Sequence, residues 1–133
     1  MIDGQTAADW PHAPPGWRWR TVCLSADLLE GGDGVRFELA RPWGVEPAFV
    51  IRYDGLARAF RNRCSHVPVE LDWMPGRFFD ESGLYLVCAT HGAMYEAGTG
   101  QCAGGPCSGR GLPVMECLER DGQVQVLVQE QEK

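Results

Sequence analysis

Positive charge is scarce in this chain. Of its 133 residues 12 are Lys or Arg against 18 Asp or Glu, a formal net charge of -6. The single lysine is the last residue, Lys133. A nucleic-acid binder needs clustered cations to displace counterions from phosphates, so that class is excluded. Long apolar runs are missing too. No stretch approaches eighteen consecutive apolar residues, so no membrane span is predicted. The start, MIDGQTAADWPHAPPG, carries acidic residues where a signal peptide needs basic ones, and a cytoplasmic location is the expectation. Only three histidines occur, His12, His66 and His91. A helical period of 3.6 residues is sustained nowhere, and no internal repeat is visible.

What is present is ordinary globular composition, 44% hydrophobic and 23% charged, enough to close one core without staples. Pro11, Pro14, Pro15 and Gly16 mark residues 1–16 as a flexible arm. The remainder, 17–133, reads as a single all-β domain. WRWRTVCL alternates large apolar with polar residues, SADLLEGGDG reads as a short helical turn ending in glycines, and VRFELA, AFVIRY and LARAFRN follow as strands. Asp54-Gly55 and Asp121-Gly122 stand between strand-like runs, where a two-residue hairpin turn prefers that dipeptide. In a reducing compartment six cysteines read as ligands or small buried hydrophobes and not as a disulfide framework. Cys23 and Cys117 lie in apolar stretches and are expected to pack.

Two short stretches stand apart. Cys64-x-His66 follows the strand-like LARAFRN, and after twenty-one intervening residues Cys88-x2-His91 follows the apolar run LYLV. Each pair falls where a strand gives way to a loop, so two loop tips can meet over one metal site. Beyond them GAMYEAGTGQCAGGPCSGRGLP holds seven glycines and two prolines, a tightly turning segment able to lie against the same site. Three metal chemistries compete. A structural zinc site accepts these four ligand types, although zinc knuckles pair like with like. A blue-copper site wants one Cys, two His and an axial Met such as Met94, leaving a cysteine idle. A [2Fe-2S] cluster with two thiolates on one iron and two imidazoles on the other gives each mixed pair a reason.

With Cys64-Ser65-His66, Cys88-Ala89-Thr90-His91-Gly92, Tyr95 and GGPCSGRGLP in that order, the chain resembles the Rieske iron-sulfur proteins. It is most similar to the ferredoxins of ring-hydroxylating dioxygenases and nitrite reductase. The resemblance implies a Rieske-type all-β fold of antiparallel sheets, with a small cluster-binding subdomain at about 62–112 inserted in a larger base. It implies Cys64 and Cys88 on an inner iron and His66 and His91 on an outer one. In the respiratory branch two further cysteines join these loops by a disulfide. Here Val69 and Thr90 stand in those places, so that bridge is absent. The same branch tunes its cluster with a serine and a tyrosine, where this chain has Ala93 and Tyr95.

Imidazole in place of thiolate removes negative charge, so the expected potential lies above that of a plant-type ferredoxin. After the cluster takes its pair only His12 remains, too few for the two-histidine iron site of an oxygenase, and no nucleotide fingerprint is present. The chain therefore reads as a one-electron carrier and not an enzyme. It would take electrons from a flavin-dependent reductase and pass them to a terminal oxygenase or reductase. The alternatives are a non-redox zinc module and a redox-sensing subunit of a larger complex. The WMPGRFF segment reads first as a packed insert and second as a partner patch. Cys102 and Cys107 receive no role.

Overall fold

The computed structural model describes residues 13–63, 70–72, 74–90, 92–107 and 110–129. Among the described residues ten strands lie in this order: β1 Arg18–Leu24, β2 Val35–Arg41, β3 Gly44–Tyr53, β4 Leu56–Arg61, β5 Tyr85–Val87, β6 Met94–Glu96, β7 Cys102–Gly104, β8 Val114–Met115, β9 Cys117–Arg120 and β10 Gln123–Val128. All strand pairs are antiparallel. They form a four-stranded sheet β2-β3-β4-β8 and two three-stranded sheets, β1-β10-β9 and β5-β6-β7. The helical turn expected after β1 is a single 3-10 turn, Ser25–Asp27. Among the described residues no helix is long and apolar enough to cross a membrane.

Both Asp-Gly hairpins form. Asp54 and Gly55 take φ values of 55° and 79°, and Asp121 and Gly122 take 55° and 77°, the doubly positive turn that matches strand twist. A third hairpin joins β2 to β3 with Arg41 paired to Gly44. β3 therefore begins before the AFVIRY run.

The central strand explains how two cores fit in so short a chain. Ala48, Phe49, Val50 and Ile51 are all fully buried, a continuous apolar run without alternation, because β3 is covered on both faces. Ala48 and Val50 join Leu39, Ala59, Val124, Val126 and Val128 in one core. Phe49 and Ile51 point the other way, into a core with Phe60, Leu71, Phe78, Leu86, Cys88 and Tyr95. On that side Phe78 stacks on Phe49, with ring centroids 3.8 Å apart and planes at 9°. Of WMPGRFF, then, Phe78 is a core side chain, as the packed-insert reading expects; Trp73 lies outside the described residues. Gly34 makes room for it: a Cβ there would stand 2.9 Å from the Phe78 ring and 2.7 Å from the Val50 carbonyl oxygen.

Candidate metal centre

Only Cys88 of the four candidate ligands lies within the described residues; Cys64, His66 and His91 fall outside them. So do His12 and Val69. What the structure shows is the frame around the two segments that carry the candidate ligands.

β5 delivers Cys88 to the bottom of a tight turn. The Cys88 N–H donates to the Ala93 carbonyl at 2.8 Å, and the Gly92 N–H donates back to the Cys88 carbonyl at 2.8 Å. Gly92 has φ 78°, a left-handed conformation that suits glycine. Cys88 and Ala93 are buried, while Ala89, Thr90 and Gly92 between them are exposed. The turn thus has a dry foot and a wet tip. Cys88 is packed in the core with Tyr95 and Leu71.

β4 delivers the other segment. It ends at Arg61, Asn62 and Arg63 follow, and the chain is described again from Glu70. Asn62 is completely buried and Asp72 nearly so, the only buried polar or charged side chains among the described residues. The Asn62 Oδ1 accepts from the Leu71 N–H at 2.8 Å, closing the loop across its neck. Its Nδ2 donates to Asp72 Oδ1 at 2.9 Å. The second carboxylate oxygen of Asp72 accepts from the Gly76 N–H at 2.9 Å and lies 3.3 Å from Arg36 Nε. The Leu71 carbonyl accepts from the Ala89 N–H at 3.0 Å. The two segments are therefore bonded to each other at their feet.

The glycine-rich segment closes a third side. Gly105, at φ 79°, approaches so closely that a Cβ on it would stand 2.8 Å from the Gly92 carbonyl oxygen and 3.1 Å from Ala93 Cα. Cys102 and Cys107, which flank the turn Ala-Gly-Gly-Pro, form a disulfide with Cα atoms 5.8 Å apart. This corrects the expectation that the cysteines are only ligands or buried hydrophobes. The turn folds the chain back within bridging distance, a proximity that spacing alone does not reveal. Cys23 and Cys117 do pack against the core of Leu39, Val50 and Val124. Burial, aided by nearby carboxylates, pushes their thiols up to about 11 and about 12 respectively, so both stay protonated and make poor ligands.

Sequence reasoning missed Asn62, Asp72 and Gly105. The one cue to Asn62 is its place two residues before Cys64, and nothing in the spacing of Asn62 and Asp72 marks them as partners.

No curated protein matches the chain by sequence. A chain of the complex of reduced oxygenase and oxidized ferredoxin in carbazole 1,9a-dioxygenase superposes with a TM-score of 0.65 at 26% identity, over 86% of this chain and 97% of that one. The terminal oxygenase of carbazole 1,9a-dioxygenase from Novosphingobium sp. KA1 gives a TM-score of 0.68 at 28% identity, over 86% of this chain but 31% of the oxygenase. The ferredoxin of carbazole 1,9a-dioxygenase from Nocardioides aromaticivorans IC177 shares the fold, with a TM-score of 0.63 at 21% identity over 81% of this chain and 95% of that one. The Rieske [2Fe-2S] domain matches residues 18–128, and the all-β architecture agrees with it. The chain belongs to the Rieske [2Fe-2S] family, whose cofactor is a [2Fe-2S] cluster.

Proposed function

We propose that the chain is a one-electron carrier whose cluster is held by Cys64 and Cys88 on one iron and by His66 and His91 on the other. The observation that carries this reading is the bond from Ala89 N–H to the Leu71 carbonyl. It ties the residue after Cys88 to the exit of the segment bearing Cys64 and His66. The described residues fit the group: Cys88 offers a buried sulfur at the foot of a turn, and Gly105 packs by its backbone against Gly92 and Ala93 of the same turn. A zinc clamp on the same residues is disfavoured by the family's cofactor.

The cluster supplies a one-electron couple. At the second turn Cys88 is buried while Ala89, Thr90 and Gly92 face solvent. We assign about 62–112 as the cluster-binding subdomain and 17–133 as the domain, with 1–16 as an arm. The carrier would receive electrons from a flavin-dependent reductase and deliver them to a terminal oxygenase or reductase. The carbazole dioxygenase ferredoxin, found in complex with its oxygenase, supports the oxygenase as the recipient. Within this chain no second metal site of two histidines and a carboxylate can be assembled once His66 and His91 are used, so the chemistry on a substrate belongs to the partner.

Purified protein tests the reading. It should contain two iron and two acid-labile sulfides per chain and, once reduced, give the EPR signal of a mixed cysteine-histidine cluster. Zinc at one per chain without sulfide would overturn it.

A further inference from the structure

We propose that Asn62 and Asp72 are positioning residues that fix the separation of the two ligand-bearing loops, an inference that rests on the ligand assignment above.

Leu71 is the shared element. Its N–H is held by Asn62 at the entry of the first loop, and its carbonyl is held by Ala89 beside Cys88. Asn62 is itself anchored to the central sheet, because its own N–H donates to the Pro47 carbonyl on β3 at 2.9 Å. The path Pro47, Asn62, Leu71, Ala89 therefore runs from the rigid sheet to both loops. Asp72 orients the Asn62 amide, since a carboxylate can only accept and so turns Nδ2 toward itself and Oδ1 toward Leu71. Gly76 N–H and Arg36 hold Asp72 from the other side.

A buried polar pair serving stability alone could sit anywhere in the core and be exchanged for apolar side chains. This pair sits at the neck of the 64–69 loop. Two loops that share one metal group must keep their donors at fixed spacing, and the outer groups that orient ligands tune how tightly the metal is held.

The test is a partner exchange. Asn62→Asp alone faces one carboxylate with another. Asp72→Asn alone turns an amide nitrogen toward the Gly76 N–H or loses the bond from Asn62. In the double variant Asn62→Asp/Asp72→Asn the introduced carboxylate accepts from Leu71 and from the new amide, whose oxygen accepts from Gly76. All three bonds return, and only the ion pair with Arg36 weakens. Measured as bleaching of the visible spectrum in excess chelator, each single variant should lose its cluster at least about tenfold faster than the parent protein. Their reduced EPR lines should broaden. The double variant should restore both rate and line shape. Single variants that bleach at the parent rate with unchanged EPR, or a double variant no better than the worse single, would overturn the inference. If the singles do not accumulate as folded protein, the double variant decides: parental retention supports the proposal and rapid loss defeats it. A parent protein lacking iron and sulfide would instead defeat the ligand assignment, and this inference with it.

Discussion

The amide of Ala89 and the carbonyl of Leu71 are 3.0 Å apart, a hydrogen bond between the residue following Cys88 and the residue that Asn62 grips at the exit of the first loop. Through it the two Cys-His motifs, far apart in sequence, acquire a common foot.

Replacing either proposed histidine ligand by cysteine exchanges a neutral donor for an anionic one. His66→Cys or His91→Cys should lower the potential by about 100 mV or more wherever a cluster assembles, read by redox titration of the EPR signal. His12→Ala should leave iron content and potential unchanged. Cys23→Ala and Cys117→Ala should also keep the cluster, since their thiols stay protonated. Loss of iron in His12→Ala with retention in His91→Ala would show the assignment to be wrong.

Tyr95 is fully buried on β6 in the core that holds Cys88. If its hydroxyl donates to a ligating sulfur, Tyr95→Phe removes a bond that strengthens as the cluster gains charge, and the potential falls. About 60 mV corresponds to 1.4 kcal/mol for a one-electron couple, so one bond predicts a drop of tens of millivolts. Protein-film voltammetry resolves this. An unchanged potential at full cluster occupancy makes Tyr95 a packing residue alone.

Gly105→Ala should damage the second turn. A Cβ there meets Gly92 and Ala93 inside contact distance, and φ 79° is unfavourable for any L side chain, at a cost of about 1–2 kcal/mol from backbone conformation alone. Lower cluster occupancy and a Tm reduced by several degrees are expected. The neighbouring Gly104→Ala is the control, because a Cβ at Gly104 meets nothing within 4 Å. Equal effects in the two variants would contradict the close-packing account.

Arg52 on β3 and Glu119 on β9 clamp two sheets together, with Nη1 to Oε1 at 3.0 Å and Nη2 to Oε2 at 2.7 Å. The hydrogen bond from Arg52 holds the Glu119 carboxyl below its ordinary value. A depressed folded-state pKa stabilises the fold fully above the ordinary carboxylate pKa, and that contribution disappears as pH falls through the depressed value. Glu119→Gln should therefore cost about 1–3 kcal/mol at neutral pH and progressively less in acid. Calorimetric Tm of both proteins from pH 7 to pH 3 checks it. A gap that stays constant with pH would mean the loss is one of shape and not of charge.

By itself the amino-acid sequence determined whatever is decided over a few residues. Asp54-Gly55 and Asp121-Gly122 turn because that dipeptide tolerates paired positive φ values. Gln123–Val128 forms a strand whose first four residues alternate polar and buried apolar with the pleat. The mixed pairs Cys64-x-His66 and Cys88-x2-His91 declare their donor chemistry by residue type alone. Tertiary structure decided what depends on residues brought together from a distance. Ala48 to Ile51 is buried on both faces because sheets cover it from two sides, and no local pattern states which neighbours will arrive. Cys102 and Cys107 bond because an intervening turn folds them together. Asn62 and Asp72, ordinary polar residues in the sequence, became the buried grip on Leu71 only when the sheet closed over them. A buried amide must then find its partner within the fold, since water is no longer there to supply one.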